Sequence, residues 1–297
     1  ESTTIKNPKA KRTKLLVKLG KLATFRRIMT GSPVTKSPLD LYSQCEFLNP
    51  QLLGFTSYYS FCVRYANMIK RSSGSHTYHQ ILGFQNLDEL SGILKQFSTR
   101  VIKEECLDLP EKVFTTRRIE MTPDQKRMYK EMKKYATAVI NEEGSAVSAT
   151  VVITQLLRLH QISCGFATSD EGVVTPIANN RLKEMMSILD EIDGKMIIWA
   201  TYRHDIELLT EEIAKVYGPE TVVTYYGDTS VEDRRTAVTD FQNPESPVRF
   251  FIGNPTTGGY GLTLTEAKTV IYYSNSYDLE KRLQSEDRAH RIGQTNN

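Results

Sequence analysis

The stretch TVIYYSNSYDLEKRLQSEDRAHRIGQ, from Thr269 to Gln294, decides the fold class of this chain. Its first five residues, Thr269–Tyr273, are all β-branched or aromatic, which is typical of a strand. The charged residues that follow continue as a helix. A strand that leads into a helix is a building unit of α/β proteins, and the residues upstream repeat this alternation.

Two arginines near the end of this stretch are candidate ligands for an anion. Arg288 and Arg291 are three residues apart and would share one face of a helix, and Gln284, four residues before Arg288, joins that face. Arginine forks match phosphate oxygens bidentately, so the pattern favours a polyphosphate. A solvated helix face, salt-bridged through Glu286 and Asp287, fits the spacing equally well.

Three further strands are predicted within residues 180–294. They are the runs Lys195–Ala200, Thr221–Tyr226 and Val248–Ile252, and segments of helical periodicity separate them. Strands that alternate with helices form a parallel sheet with helices on both faces. In such sheets, ligands bind beyond the carboxyl ends of the strands.

The loop after Ile252 lies at such a strand end. It reads GNPTTGGYGL, from Gly253 to Leu262, and its glycines let backbone amides approach a phosphate closely. The phosphate-loop pattern Gly-x-x-x-x-Gly-Lys-Ser/Thr occurs nowhere in the chain. Taken alone, the loop is a weak signal for a phosphate site, and a mobile turn is the better interpretation.

Residues 38–179 differ in character and are predicted to be mainly helical. Helical spacing or a helix-start signal marks the segments Tyr58–Met68, Leu87–Phe97, Asp124–Glu142 and Ala149–Cys164. Alternation predicts a strand at Val113–Met121, and the polar stretch Ser72–His79 indicates a loop. His160 and Cys164 share a helix face, for which packing is favoured because two ligands do not make a metal site.

The N-terminal segment is strongly basic. Ten Lys or Arg and no acidic residue lie between Ser2 and Ser37, while Leu15, Leu19 and Leu22 recur at helical spacing. The pattern predicts a helix with one basic and one apolar face, followed by a strand-like run, Arg26–Met29. The basic face suits nucleic acid, with Lys9, Lys11 and Arg12 as candidate contacts, although a solvated face is the alternative.

Composition bounds the class of protein. The 297 residues are 39% hydrophobic and 25% charged with a net charge of +3, which is ordinary for a soluble chain of about two domains. No apolar run approaches the ~20 residues of a membrane helix, and no signal peptide is apparent. The scattered cysteines form no Cys-x-x-Cys pair, so no metal site is expected. We expect an intracellular protein, in the cytoplasm of a prokaryote or phage host or in a eukaryotic nucleus.

The segment Gln284-x-x-Asp-Arg-x-His-Arg-Ile-Gly-Gln294 resembles the sixth motif of the SWI/SNF-like DNA translocases of helicase superfamily two. The resemblance implies that Arg288 and Arg291 are arginine fingers acting on ATP. It also implies that Gln284 and Asp287 contribute to the nucleotide site.

The segment Gly258-Gly-Tyr-Gly-Leu-Thr-Leu-Thr265 resembles the fifth motif of the same family, with Thr263 in place of the usual Asn. This implies that Gly259 and Gly261 line the nucleotide site. DNA contacts are implied for Thr256, Thr257 and Gly258. The segment Lys195–Tyr202 resembles the fourth motif.

The beginning of the chain also resembles this family. Glu1-x-x-x-Ile-Lys-Asn7 is similar to the end of the second motif, with Thr3 at the usual His position, and implies that Glu1 positions the attacking water. Met29-Thr-Gly-Ser-Pro33 is similar to the third motif and implies DNA contacts at Thr30 and Gly31. Pro38–Tyr42 is most similar to the annealing-helicase branch.

The resemblance implies a fold and a domain order. We expect residues 1–37 to be the end of a first RecA-like lobe, residues 38–179 a helical insertion region, and residues 180–297 a second RecA-like lobe. ATP and Mg²⁺ are the implied cofactors, held mainly by first-lobe motifs that these residues do not contain. We therefore expect a piece of a longer protein, nearly inert alone, whose partners are double-stranded or branched DNA and the rest of the first lobe.

The implied activity is ATP-driven movement along double-stranded DNA, in which the two lobes close around ATP. Two alternatives remain at this point. One is an RNA-directed helicase of the same superfamily, and the other is a nucleic-acid-binding module without catalysis.

Overall fold

The chain folds into two compact units, Glu1–Ile102 and Lys103–Asn297. The structure is a computed structural model and describes residues 1–73, 76–142, 149–258 and 261–294. No helix within these ranges is long and apolar enough to cross a membrane.

Short helices and one hairpin make up the N-terminal unit. These elements are α1 (Lys11–Gly20), α2 (Leu41–Leu48), α3 (Tyr58–Tyr65), β1 (Ala66–Ser73), β2 (His76–Phe84) and α4 (Leu87–Lys95). The core of the unit is rich in aromatic rings, with Phe61 and Tyr65 of α3 fully buried against Tyr42 of α2. Helix α3 begins where the Ser57 side chain accepts a hydrogen bond from the Ser60 amide at 3.1 Å, which is an N-cap.

The predicted basic helix is present as α1, but its leucines are not buried. Leu15 and Leu19 are 58% and 61% exposed, and Leu22, just beyond the end of α1, is 85% exposed, whereas Thr13 and Gly20 are buried. An added Cβ at Gly20 would lie 3.0 Å from the Phe47 ring, so α1 approaches α2 through its smallest residue. The basic and apolar faces of α1 are therefore both open to solvent.

Two predictions for the N-terminal unit are wrong. The strand-like run Arg26–Met29 is extended but has no ladder partner among the described residues, although the Ser2 amide donates to the Met29 carbonyl at 3.3 Å. The described residues of the predicted loop Ser72–His79 lie instead in strands β1 and β2, and Met68 lies in β1 rather than in a helix. A strand needs a neighbour for its amides, and this hairpin supplies one to the polar residues of both strands.

The C-terminal unit alternates helices and strands. Its elements are α5 (Lys103–Cys106), α6 (Pro123–Glu142), α7 (Ala149–Cys164), β3 (Phe166–Thr168), β4 (Val174–Pro176), α8 (Arg181–Glu191), β5 (Lys195–Trp199), α9 (Arg203–Tyr217), β6 (Val222–Tyr225), α10 (Val231–Gln242), β7 (Phe250–Gly253), α11 (Pro255–Gly258), β8 (Ala267–Tyr272) and α12 (Leu279–Glu286). As predicted, α6 begins after Thr122, whose hydroxyl accepts from the Gln125 amide at 3.3 Å.

The predicted parallel sheet is confirmed, with strand order β6-β7-β5-β8. Alternate residues of β5 enter two cores: Met196 and Ile198 face α8 and α9, while Ile197 and Trp199 face α10. All four are fully buried. Complete burial of a large apolar side chain contributes about 1.5–3 kcal/mol, so this sheet is the stable frame of the unit.

The strand predicted at Val113–Met121 is wrong. This segment has no regular secondary structure and forms no ladder with a described strand, and Val113 and Phe114 are 77% and 71% exposed. It lines a cavity of about 970 Å³ whose other wall includes β8, the edge strand of the sheet. Alternating side chains favour extended backbone, yet a strand forms only where the amides find a partner.

Candidate functional site

Polar groups join the carboxyl ends of the four parallel strands. After β5, the Thr201 amide donates to the Ser274 hydroxyl at 2.8 Å, and the Thr201 hydroxyl donates to the Ser274 carbonyl at 3.1 Å. After β7, the Asn254 side-chain amide donates to the Thr201 carbonyl at 2.8 Å, and its backbone amide donates to the Tyr225 carbonyl of β6 at 3.1 Å. The loops at this edge are therefore tied together.

A buried carboxyl group completes this network. The Ser274 hydroxyl donates to Asp205 Oδ2 at 2.9 Å, and Asp205 is only 1% exposed. Burial raises the pKa of Asp205 to about 6, although the Ser274 hydrogen bond and the nearby Arg181 guanidinium oppose the rise. Arg181 itself stacks on the Tyr273 ring at 4.5 Å. The carboxyl is thus held in a site that favours its neutral form.

The sequence did not single out Thr201, Asp205, Asn254 or Ser274. Each lies just beyond a strand end or in the first turn of a helix, but their mutual contacts join residues far apart in the chain. The available signal was a short polar residue directly after each buried strand, at the edge where ligands bind in parallel sheets.

The loop after β7 is partly helical, where the sequence indicated only a glycine-rich loop. The Asn254 side-chain carbonyl accepts from the Thr256 amide at 2.8 Å, which starts α11. Of the predicted DNA contacts, Thr256 is exposed, Thr257 is half-buried and Gly258 is buried. An added Cβ at Gly258 would lie 2.6 Å from the Trp199 ring, so this glycine lets the loop lie flat on the sheet.

Of the two glycines predicted to line the nucleotide site, the structure describes only Gly261. Gly259 lies outside the described residues. Gly261 is exposed and has a φ of +71°, a conformation that favours glycine.

Arg288 and Arg291 do not lie on an α-helix, so the predicted helix face is wrong. Helix α12 ends at Glu286, and a tight turn follows. In that turn the Arg288 amide donates to the Ser285 carbonyl at 3.3 Å and the Ala289 amide donates to the Glu286 carbonyl at 3.2 Å. These bonds span three residues rather than four, which narrows the coil.

The turn nevertheless brings the two arginines together, as the sequence predicted. Arg288 Nη1 and Arg291 Nη1 donate to the same acceptor, the Leu262 carbonyl oxygen, at 3.3 and 2.8 Å. Arg288 Nε also donates to the backbone carbonyl of Gln284 at 2.9 Å. Both guanidinium groups are half-buried, so two positive charges meet at one oxygen atom on the surface of the unit.

A buried amide fixes this turn. Gln294 Nε2 donates to the carbonyls of Thr265, Ala267 and Ala289 at 3.1, 2.9 and 3.4 Å. Ala289 lies between the two arginines, whereas Thr265 and Ala267 lead into β8. Gln294 therefore ties the arginine turn to the central sheet.

The salt-bridged alternative for this segment is partly correct. Glu286 pairs with Arg282 at 2.7 Å and Lys112 at 3.1 Å, and Asp287 pairs with Lys103 at 2.6 Å. The acids of the segment thus pair with Arg282, Lys112 and Lys103, and these ion pairs anchor the end of α12.

Gln284 carries a polar atom that the surrounding protein leaves unused. Its side-chain amide donates to Glu280 Oε1 at 3.3 Å, while Gln284 Oε1 is buried and has no partner in the described ranges. A buried acceptor without a donor costs free energy, so this position suits a ligand that brings a hydrogen-bond donor.

The predicted site residues of the N-terminal unit lie at its surface: Glu1, Lys9, Lys11, Arg12 and Gly31 are exposed, and Thr30 is half-buried. The Thr30 hydroxyl accepts from the Ser32 amide at 3.2 Å and so shapes the turn that follows.

These groups fit a polyphosphate better than a metal ion. Guanidinium groups held at one point are suited to phosphate oxygens. Mg²⁺ prefers an octahedral set of oxygen ligands, and no group of three or more His, Cys, Asp or Glu side chains positioned for a metal is present in the described ranges.

Two family models match the chain. The model described as the SNF2-related domain matches residues 1–166. The chain belongs to this family. The model described as the helicase conserved C-terminal domain matches residues 178–293. The resemblance to SWI/SNF-like ATPases is thereby confirmed for this SNF2-family chain.

Similar proteins agree with this assignment. The chain is 26% identical to the chromatin structure-remodeling complex subunit snf21 of Schizosaccharomyces pombe, with 99% of this chain and 26% of that protein aligned. It is 27% identical to the SWI/SNF-related matrix-associated actin-dependent regulator of chromatin subfamily A-like protein 1 homolog of Caenorhabditis elegans, with 99% and 40% aligned. The SNF2-family chain thus spans well under half the length of these relatives.

A solved structure supports the fold. The Sulfolobus solfataricus SWI2/SNF2 ATPase core in complex with dsDNA is 29% identical, with a TM-score of 0.51 over 100% of this chain and 60% of that chain. The predicted RecA-like α/β fold of the SNF2-family chain is therefore confirmed.

Proposed function

We propose that this SNF2-family chain is part of an ATP-dependent translocase that moves along double-stranded or branched DNA and hydrolyses ATP between two RecA-like lobes. The observation that carries the proposal is the convergence of Arg288 and Arg291 on the Leu262 carbonyl. Two half-buried guanidinium groups held together by a buried Gln294 form a preorganised cationic group, which is the device that phosphoryl transfer requires.

Each predicted nucleotide-site residue of the C-terminal unit has a proposed role. Bound ATP with Mg²⁺ would supply the phosphoanhydride bond that is hydrolysed. Arg288 and Arg291 exchange the Leu262 carbonyl for phosphate oxygens and stabilise charge there. The buried side-chain oxygen of Gln284, Oε1, accepts a hydrogen bond from a donor on the ligand. Asp287 holds the turn through its ion pair with Lys103. We assign Gly259 and Gly261 to the same nucleotide site.

The proposed DNA contacts rest on the exposed basic residues of the N-terminal segment and on two loops that the family resemblance assigns to DNA. They are Lys9, Lys11, Arg12, Thr30 and Gly31 in the N-terminal unit and Thr256, Thr257 and Gly258 in the C-terminal unit. Contacts of this kind go to phosphates, so binding is expected to be largely independent of sequence and sensitive to salt.

We also propose that the chain works only with the rest of the first RecA-like lobe. The sequence contains no phosphate-loop pattern, and Glu1 is the proposed water-orienting carboxylate. The exposed apolar side chains of Leu15, Leu19, Phe25 and Met29 offer the remainder of that lobe a surface on which to pack. The division into residues 1–37, 38–179 and 180–297 stays part of this proposal, as does an intracellular location.

The test is ATP hydrolysis by the 297-residue chain and by a longer protein that adds a first lobe with a phosphate loop. We expect background hydrolysis from the chain alone and hydrolysis stimulated by duplex DNA from the longer protein. Stimulation by RNA instead of DNA would favour an RNA-directed helicase, and no hydrolysis by the longer protein would leave a binding module. Family-typical turnover by the chain alone would contradict the need for the first lobe.

A further inference from the structure

The β1–β2 hairpin is a two-stranded ribbon that no proposed motif uses. Its strands pair from Ala66↔Phe84 to Ser73↔His76, and the described side chains from Lys70 outward are exposed. The stretch that contains it has no acidic residue between Glu46 and Asp88. The outer part of the hairpin, from Lys70 to Gln80, has no buried side chain among its described residues and gains little from packing, so its polar surface calls for another explanation.

The ribbon carries positive charge and hydrogen-bonding groups on both faces. Lys70 pairs with His79, and Arg71 pairs with Tyr78, so successive pairs point to opposite faces. On the second face, Arg71 Nε donates to Gln80 Oε1 at 3.2 Å, and Tyr78 is 52% exposed. No side chain of opposite charge from the ribbon itself neutralises Lys70 or Arg71, because the stretch contains none.

The base of the ribbon is firmly held. The Gln85 amide donates to the Tyr65 carbonyl at 3.0 Å, and the Asn86 side-chain amide donates to the Arg64 carbonyl at 2.8 Å. Arg64 and the Tyr65 hydroxyl both bond to Glu89 of α4. The ribbon therefore projects from a fixed base between α3 and α4.

We propose that this ribbon of strands β1 and β2 is a DNA-binding arm that lies in the major groove of duplex DNA. Paired strands are about 4.8 Å apart, and the major groove, about 12 Å wide, admits a two-stranded ribbon with its side chains. Arg71, Tyr78 and Gln80 share the face that lies toward the base edges and the adjoining phosphates, while the long side chain of Lys70, on the other face, reaches a phosphate at the rim of the groove. This rests on the proposed function, in that duplex DNA is taken as the substrate, but it adds a contact outside the ATPase motifs.

The experiment measures duplex binding by the full chain between about 50 and about 200 mM salt. The test variant is Lys70→Gln/Arg71→Gln, and the matched control is Lys95→Gln/Arg100→Gln, which removes the same charge from exposed positions of the same unit. We expect the test variant alone to flatten the log–log salt slope by about 0.9 per phosphate that it no longer binds, and to bind duplex DNA about tenfold or more weakly. Thermal unfolding should be unchanged in both variants, because neither pair is buried.

A second substrate distinguishes insertion into the groove from contact with the DNA surface. A duplex whose pyrimidines carry bulky groups at C5 has an obstructed major groove, and we expect it to weaken binding of the wild-type chain but not of Lys70→Gln/Arg71→Gln. Equal binding by the test and control variants, or equal sensitivity of wild type and test variant to the C5 groups, overturns the ribbon proposal while leaving the proposed function intact. A wild-type chain that does not bind duplex DNA also overturns the ribbon proposal, whereas the proposed function is decided by ATP hydrolysis of the longer protein.

Discussion

Helix α9 of the C-terminal unit and helix α1 of the N-terminal unit both carry large apolar residues at helical spacing. In α9, Leu209 and Ile213 are fully buried against the sheet, whereas in α1 Leu15 and Leu19 are more than half exposed. The spacing is enough to form each helix, but burial requires a surface on which to pack. The C-terminal unit contains that surface, and the N-terminal unit presents its apolar and basic faces outward.

The two units carry different parts of the proposed mechanism, and the arginine turn of the C-terminal unit gives the largest expected effect. In a protein that carries both lobes, Arg288→Lys or Arg291→Lys should lower ATP turnover at least about a hundredfold, since arginine fingers contribute about 10³–10⁵ in rate. Lysine keeps the positive charge but lacks the bidentate guanidinium group, so it should not restore ATP turnover. DNA-stimulated ATPase assays measure the effect.

Two controls accompany that experiment. Arg235→Lys changes an exposed arginine of α10 and should leave turnover unchanged. DNA affinity without nucleotide should stay at the wild-type value in both finger variants. Normal turnover in both would remove the finger assignment, and a loss of DNA binding with normal turnover per complex would move the two arginines to the DNA surface.

The packing difference itself is testable by truncating one leucine in each helix. Leu209→Ala should lower the free energy of unfolding of its unit by about 2–5 kcal/mol, the range for buried leucines. Leu19→Ala should change the stability of the chain by less than about 0.5 kcal/mol, as for exposed positions. Urea unfolding of the two variants measures both, and equal losses would mean that α1 is packed in solution.

The buried carboxyl of the C-terminal unit predicts a pH effect of smaller size. The folded-state pKa of Asp205, about 6, is above its ordinary value of 3.8. The stability that this group contributes is therefore complete below about pH 3.8 and is lost as the pH rises through about 6. At pH 7, Asp205→Asn should be more stable than wild type by about 1–3 kcal/mol, with a flatter stability profile between the two pKa values.

Asp193→Asn is the matched control for that measurement, because it makes the same change at an exposed site. Its profile should follow that of the wild type. A destabilised Asp205→Asn at pH 7 would show that the ionised carboxylate is needed to hold the Ser274 hydroxyl.

The smallest expected effect concerns the basic face of α1. Lys11→Gln/Arg12→Gln should flatten the log–log salt dependence of duplex binding by about 0.9 for each phosphate that the variant no longer binds. Turnover per bound complex should not change, because these residues are assigned to DNA alone. An unchanged slope would identify the face as solvated and would remove Lys11 and Arg12 from the proposed DNA contacts.

The sequence predicted the parallel sheet well because its strands are continuous apolar runs, such as Lys195–Trp199 and Phe250–Gly253, which are buried on both faces. It failed where extended segments are polar and exposed. Val113–Met121 alternates without acquiring a ladder, and the ribbon strand His76–Phe84 is paired although its residues resemble a loop. Which segments pair as strands depends on the tertiary structure, and the local spacing of residues does not determine it.

The sequence predicted that the two arginines lie together but not the geometry that brings them together. Arg288 and Arg291 converge as expected, but through a tight turn and a shared acceptor at Leu262, not through a helix face. The acceptor is a backbone carbonyl from a distant loop, so no side-chain pattern reveals it. The contact between Asp205 and Ser274 was equally hidden, because it joins a helix to a strand end 69 residues later.

One consequence of the close packing at Gly253 and Gly258 is optical. Both glycines lie against the ring of Trp199, the single tryptophan of the chain, which is fully buried and whose indole nitrogen lacks a hydrogen-bond partner within the described ranges. Its fluorescence should accordingly be emitted at short wavelength. Because the loop that carries Thr256 and Thr257 rests on this ring, any ligand that lifts the loop admits water to the indole and shifts the emission to the red. Trp199 thus lies beneath a proposed DNA contact, and its fluorescence would report a titration with DNA without an added label.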